Sequence, residues 1–94
     1  MRDKHLPIGT IVYLPHSPDI PGKVVAHVGK RTFINPKNQS IVDFFVRVKW
    51  AKAQDGVEAS EVPETGIKLF SDLVQSYQMT YDKYVRLYQT AQNL

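Results

Sequence analysis

Apolar and polar residues alternate most cleanly in "IVDFFVRVKW", residues 41–50. The even positions Val42, Phe44, Val46, Val48 and Trp50 are all apolar, while the odd positions carry Asp43, Arg47 and Lys49, with Phe45 among them. A period of two belongs to a strand with one buried face. The pattern therefore predicts a strand whose even side chains point into the core and whose cations look out to water. Burial of each large apolar side chain stabilises by roughly 1.5–3 kcal/mol, so this strand is expected to form the centre of the core.

Four weaker patterns flank it. "GTIVYL" at 9–14 is rich in β-branched and aromatic residues and reads as a first strand. "KVVAHV" at 23–28 reads as a second, with Val24, Ala26 and Val28 on one face and Lys23, Val25 and His27 on the other. Between them, "PHSPDIPG" holds three prolines, which lack ladder donors, and Pro21-Gly22 suits the centre of a type II turn. "INPKNQS" reads as a loop, and Asp55-Gly56 as a tight hairpin turn leading into "VEASEV". After "PETG", "IKLF" at 67–70 reads as a short fifth strand.

From residue 71 the period changes. Val74, Tyr77, Tyr81, Tyr84, Tyr88 and Ala91 recur at alternating intervals of three and four, a heptad seam on one predicted helix over 71–92. Ser71 is placed to cap it, with Asp72 in the first turn, where the helix dipole favours an acid. Five short strands, one long central hairpin and a short last strand suggest a small twisted barrel. The whole chain is read as one domain, mainly β (α+β), with strands over 8–70 and an amphipathic C-terminal α-helix.

In this order the pieces "IGTIVYL", "IPGKVVAHV", "FFVRVKW" and "VPETGIKLF" resemble the SH3-like small β-barrel superfamily, and within it KOW- and Tudor-type modules, over about residues 8–70. The shared features are a glycine before strand one, a glycine turn into strand two, an alternating strand three and a short last strand after a tight turn. The resemblance implies a five-stranded barrel and a non-catalytic binding role toward RNA, DNA, peptides or larger assemblies. It also implies a way to hold methylated side chains, if Tyr13, Phe33 and Phe45 cluster into an aromatic cage.

Composition narrows the chemistry. The chain has 94 residues and no cysteine, which removes disulfides, thiolate metal sites and cysteine nucleophiles. His5, His16 and His27 have no ligand spacing, so no metal and no cofactor are expected. The five glycines are spread about one per turn, without a phosphate-cradling motif. His16 and Asp19 have no accompanying nucleophile signature, and no enzyme is expected. No apolar stretch suits a secretion signal or a membrane span, so the expected compartment is the cytoplasm and no membrane partner is expected.

Net charge is +3, enough to permit an anionic partner. Two candidate surfaces follow. Lys30, Arg31, Arg47 and Lys49 are expected to meet the phosphates of DNA or RNA, with Phe45 stacking on a base. Alternatively, Val74, Tyr77, Tyr81, Tyr84 and Tyr88 form a helix face that packs on the chain's own sheet or assembles with a protein partner or a second copy, in which case the charge serves solubility. Tyrosine suits an interface with one dry and one wet end.

Overall fold

A computed structural model describes residues 5–54 and 57–94. The chain forms β1 (Ile11–Leu14), β2 (Ser17–Ile34), β3 (Ser40–Gln54), β4 (Val57–Pro63) and β5 (Lys68–Leu69), then α1 (Asp72–Gln75) and α2 (Tyr81–Gln92). The strands make one antiparallel sheet in the order β4-β3-β2-β1-β5. A single 3-10 turn, Glu64–Gly66, joins β4 to β5. The protein is thus mainly β with a C-terminal helix. The expected Asp55-Gly56 turn lies outside the described residues.

The sheet has a core on each side. On the inner face, Val24, Val46, Val48 and Trp50 gather with Val12, Ile67 and Leu6. On the outer face, Ile11 and Tyr13 meet Phe70, Leu73, Met79 and Ala91 from the helical end. Strand β1 is buried from both sides, which is why "IVY" is apolar without alternation. The expected inward set of β3 holds for Val46, Val48 and Trp50 and fails for Val42, which is 65% exposed. Val42 lies where the core has ended: β1 pairs with β2 no further along it than Lys23, and β4 pairs with β3 no further than Phe45. Residues 30–34 and 40–44 therefore continue as a ribbon of two strands.

Strand β2 is much longer than 23–28. The first turn is made at Pro15 and His16, since Leu14 pairs with Ser17. Between the Leu14–Ser17 and Val12–Gly22 pairs, β2 has three more residues than β1. Pro18 and Pro21 lie in this bulged stretch, where the ladder is interrupted and their missing donors are not needed. Pro21-Gly22 is therefore inside a strand and not a turn. Gly22 is needed for another reason. It pairs with Trp50, and a Cβ there would fall 2.5 Å from Val48 Cγ1 and 2.7 Å from Trp50 Cζ3.

Two further register shifts, between Val24 and Ala26 and between His27 and Gly29, break the period of β2. Each inserts one residue, so His27 comes to the inner face opposite Val46, while Ala26 faces outward opposite Arg47. Gly29 absorbs the second shift with φ of +120°, a region L side chains rarely adopt. The expected grouping of Val24, Ala26 and Val28 on one face is overturned by these bulges.

The C-terminal segment is two helices and not one. Leu73 and Met79 are both buried in the outer core. Six residues apart on a continuous helix they would point about 120° apart, so one helix could not turn both straight toward the sheet. The chain breaks instead: the Leu73 carbonyl accepts from the amides of Gln78 (2.8 Å) and Met79 (3.1 Å), and Tyr77 takes φ of +59°. Ser71 makes no side-chain capping bond. Thr80 caps α2, its hydroxyl accepting from the Lys83 amide at 3.4 Å.

Helix α2 lies against β2 and β1. Tyr13, Phe70, Tyr84 and Tyr88 form a chain of rings from sheet to helix, with Phe70 and Tyr84 stacked at 5.4 Å. Two polar ties set its direction. Lys83 pairs with Asp19 at 2.9 Å, and Lys23 donates to the Gln92 carbonyl at 3.2 Å. Nine helical residues and four strand residues each span about 13 Å, so the helix runs alongside the first part of β2.

Candidate functional site

On the outer face beyond α2, β2, β3 and β4 present Arg31, Phe45, Arg47, Lys49 and Glu61. Cross-strand register places them. Arg31 is opposite Asp43, Gly29 opposite Phe45, Lys23 opposite Lys49, and Arg47 opposite Glu61. Arg47 and Lys49 are exposed and form no ion pair among the described residues. Lys23 is half-buried, its ammonium turned to the carbonyl end of α2, where the helix dipole favours a cation.

Arg31 is engaged. Its guanidinium passes over the Phe45 ring, 5.8 Å from the centroid, and reaches the Glu61 carboxylate at 2.6 Å. The side chain therefore crosses β3 to join β2 to β4. Phe45 also meets Phe33 edge-on at 5.7 Å and is half-buried. Lys30 does not join this group. It pairs with Phe44, and so lies on the opposite face of the ribbon from Arg31. The sheet therefore brings together four of the five expected residues and separates the fifth.

Tyr13 takes no part in an aromatic cage with Phe33 and Phe45. It is buried on the helix side against Phe70, while Phe33 and Phe45 pair with each other.

The tyrosine seam is divided. Tyr84 and Tyr88 pack against the chain's own outer core, and Val74 is half-buried on α1. Tyr77 is 96% exposed and Tyr81 66% exposed. Burial and the neighbouring hydroxyls of Tyr88 and Tyr81 push the Tyr84 phenol above its ordinary value of 10.0.

Two of the three histidines, His5 and His27, serve the fold. His5 stacks on Phe44 with centroids 3.5 Å apart, and His27 meets the same ring edge-on. His27 Nε2 donates to the Leu6 carbonyl at 2.7 Å. Glu64 is buried and accepts from the Leu6 amide at 2.8 Å, with His5 Nδ1 at 3.3 Å. These bonds fasten the N-terminal stretch across the inner core. Among the described residues no three His, Asp or Glu side chains are grouped to hold a metal, and no helix is long and apolar enough to cross a membrane.

Two features were not anticipated from the residue pattern. One is the carboxylate of Glu64 inside the core, for which the sequence carries no local signal. The other is the exposed end of the β2–β3 ribbon, where Ile34 and Val42 are 62% and 65% exposed. A signal for the second exists: β-branched and aromatic residues continue through "TFI" on one side of the loop and "SIV" on the other. No protein-family model, curated protein or solved structure matches the chain.

Proposed function

We propose that the chain is a non-catalytic binding module, a small barrel of the SH3-like kind with a C-terminal helix, which holds the phosphate backbone of a nucleic acid without reading its bases. The return of β5 to pair with β1 supports the barrel reading, because such a return curls a sheet toward closure.

The observation that carries the binding reading is the exposed pair Arg47 and Lys49 on one strand face, with Lys23 opposite Lys49. Like charges directly opposed across a ladder destabilise it. Lys23 has the helix end as its counter-charge and Arg47 lies opposite Glu61, which Arg31 already engages; a phosphate would supply a counter-charge for Lys49 and a further one for Arg47. Arg31 and Phe45 support this surface from the side, and the engagement of Phe45 by Arg31 and Phe33 argues against its stacking on a base. Contacts of this type position a backbone and carry no sequence information.

Titration of labelled DNA and RNA at two salt concentrations tests the reading. Affinity should fall steeply with salt, and Arg47→Gln/Lys49→Gln should lower the logarithmic slope by about 0.7–0.9 for each phosphate that is no longer neutralised. Absence of binding at low salt rejects it. Assembly through the tyrosine-rich C-terminal region is the second reading, favoured by the exposure of Tyr77 and Tyr81 while Tyr84 and Tyr88 are held by the sheet.

A further inference from the structure

Four of the six exposed large apolar side chains among the described residues fall into two patches. Ile34 and Val42 form the first. Val42 is opposite Thr32, and Ile34 is two residues beyond Thr32, so the two are diagonal neighbours on the inner face of the ribbon. That face is a continuation of the core face, and the stack of His5 on Phe44 marks where its covering stops. Tyr77 and Tyr81 make up the second, one just after α1 and the other at the start of α2. Both patches are exposed in the same molecule, so neither covers the other.

The patches differ in charge. On the ribbon, Lys30 shares the face of Ile34 and Val42 and Lys37 lies in the loop at the tip, while Arg31 and Asp43 are on the other face, Arg31 paired with Glu61. From residue 71 to 83 the corner has two exposed acids, Asp72 and Asp82, and one cation, Lys83, which is paired with Asp19. An apolar pair with a basic surround on one end thus matches an apolar pair with an acidic surround elsewhere on the same chain. Tyr77 adds a further sign. The break that buries Leu73 and Met79 accounts for its positive φ, but its ring is 96% exposed and is not held by packing within the chain.

We infer that the chain associates head to tail with a second copy of itself, the Ile34–Val42 end of the ribbon on one protomer seating on the Tyr77–Tyr81 corner of the next. This rests on the assembly reading and names its partner and geometry. A contact between two different patches is heterologous, so it propagates into a ring or a filament unless one face is blocked. Salt should weaken it, because the matching charges are at the surface.

Sedimentation velocity over a concentration series tests it with three proteins: wild type, Ile34→Thr/Val42→Thr, and Tyr77→Ser/Tyr81→Ser. All four positions are exposed, and circular dichroism and thermal melting of each variant verify that it folds. Wild type should form species larger than a dimer. Association of each variant alone should be weakened by about tenfold or more, the scale set by the apolar burial it forgoes. An equimolar mixture of the two variants should recover association and stop at a dimer, because each supplies the one face the other lacks. A wild type that is monomeric throughout overturns the proposal and the assembly reading together. Self-association abolished by only one of the two variants, with no rescue on mixing, overturns the head-to-tail geometry and leaves a symmetric contact through the sensitive patch.

Discussion

The six-membered ring of Trp50 occupies the space in which a side chain at Gly22 would begin, across the ladder that pairs the two residues. Trp50 is 2% exposed, and its Nε1 donates to Ser60 Oγ on β4 at 2.9 Å. The indole is thus held on both sides and cannot move away cheaply. Gly22→Ala is expected to destabilise the fold by roughly 1–3 kcal/mol, the usual cost of forcing a methyl into a packed core. Urea denaturation followed by Trp50 fluorescence measures this, and an unchanged midpoint would show that the ring can yield.

Glu64 ties the N-terminal stretch to the turn after β4. Glu64→Ala leaves the buried Leu6 amide without this acceptor, and the expected loss is about 1–3 kcal/mol. Glu64→Gln keeps an acceptor oxygen and should lose less. Amide exchange at Leu6 gives an independent measure: protection should fall in the alanine variant, and equal protection in both variants would mean that the bond is not what holds this segment.

Tyr77 lends little to the stability of the single chain. Its ring is almost wholly exposed, and its φ of +59° disfavours any L side chain by roughly 1–2 kcal/mol. Tyr77→Gly removes that strain while adding unfolded-state entropy, so stability should hold or rise by up to about 1 kcal/mol. A fall in the melting temperature, measured on dilute protein where no association contributes, would contradict this account of the corner.

The raised Tyr84 phenol sets an alkaline limit. In the unfolded chain this group ionises near 10.0, while in the folded protein burial and the nearby tyrosines keep its proton on to higher pH. Above 10.0 the unfolded state therefore binds fewer protons than the folded one, and stability falls as pH rises. Below that point the group contributes no slope. Near-ultraviolet absorbance titration should find Tyr84 ionising above 10.0, and Tyr84→Phe should flatten the alkaline loss of stability. The same slope in the variant would assign the effect to another group.

The strength of β3 was readable because its signal is local: Val46, Val48 and Trp50 alternate with Arg47 and Lys49, and each residue's face follows from its neighbours along one extended strand. For the same reason the outward position of Arg47 and Lys49 was legible. Lys30 was not, because its face depends on two bulges in β2, and a bulge is defined by the partner strand opposite it. Seen alone, "KVVAHVGKR" contains nothing that says two of its residues will be extra. Pro21-Gly22 misled in the same way. As a dipeptide it is turn chemistry, yet Gly22 is dictated by Trp50, twenty-eight positions away in the chain.

By itself the sequence determined that strands precede a helical end, that residues 41–50 carry a buried valine face, and that cations on that strand face water. These follow from periods of two and of three to four, which are properties of a single element. Only the tertiary structure decided that Arg31 reaches Glu61 across β3, that Val42 escapes the core, and that the tyrosine seam breaks at Tyr77. Each of these depends on how far neighbouring strands extend and on which buried side chains must share one face, here Leu73 and Met79, and a one-dimensional pattern holds no record of such distances.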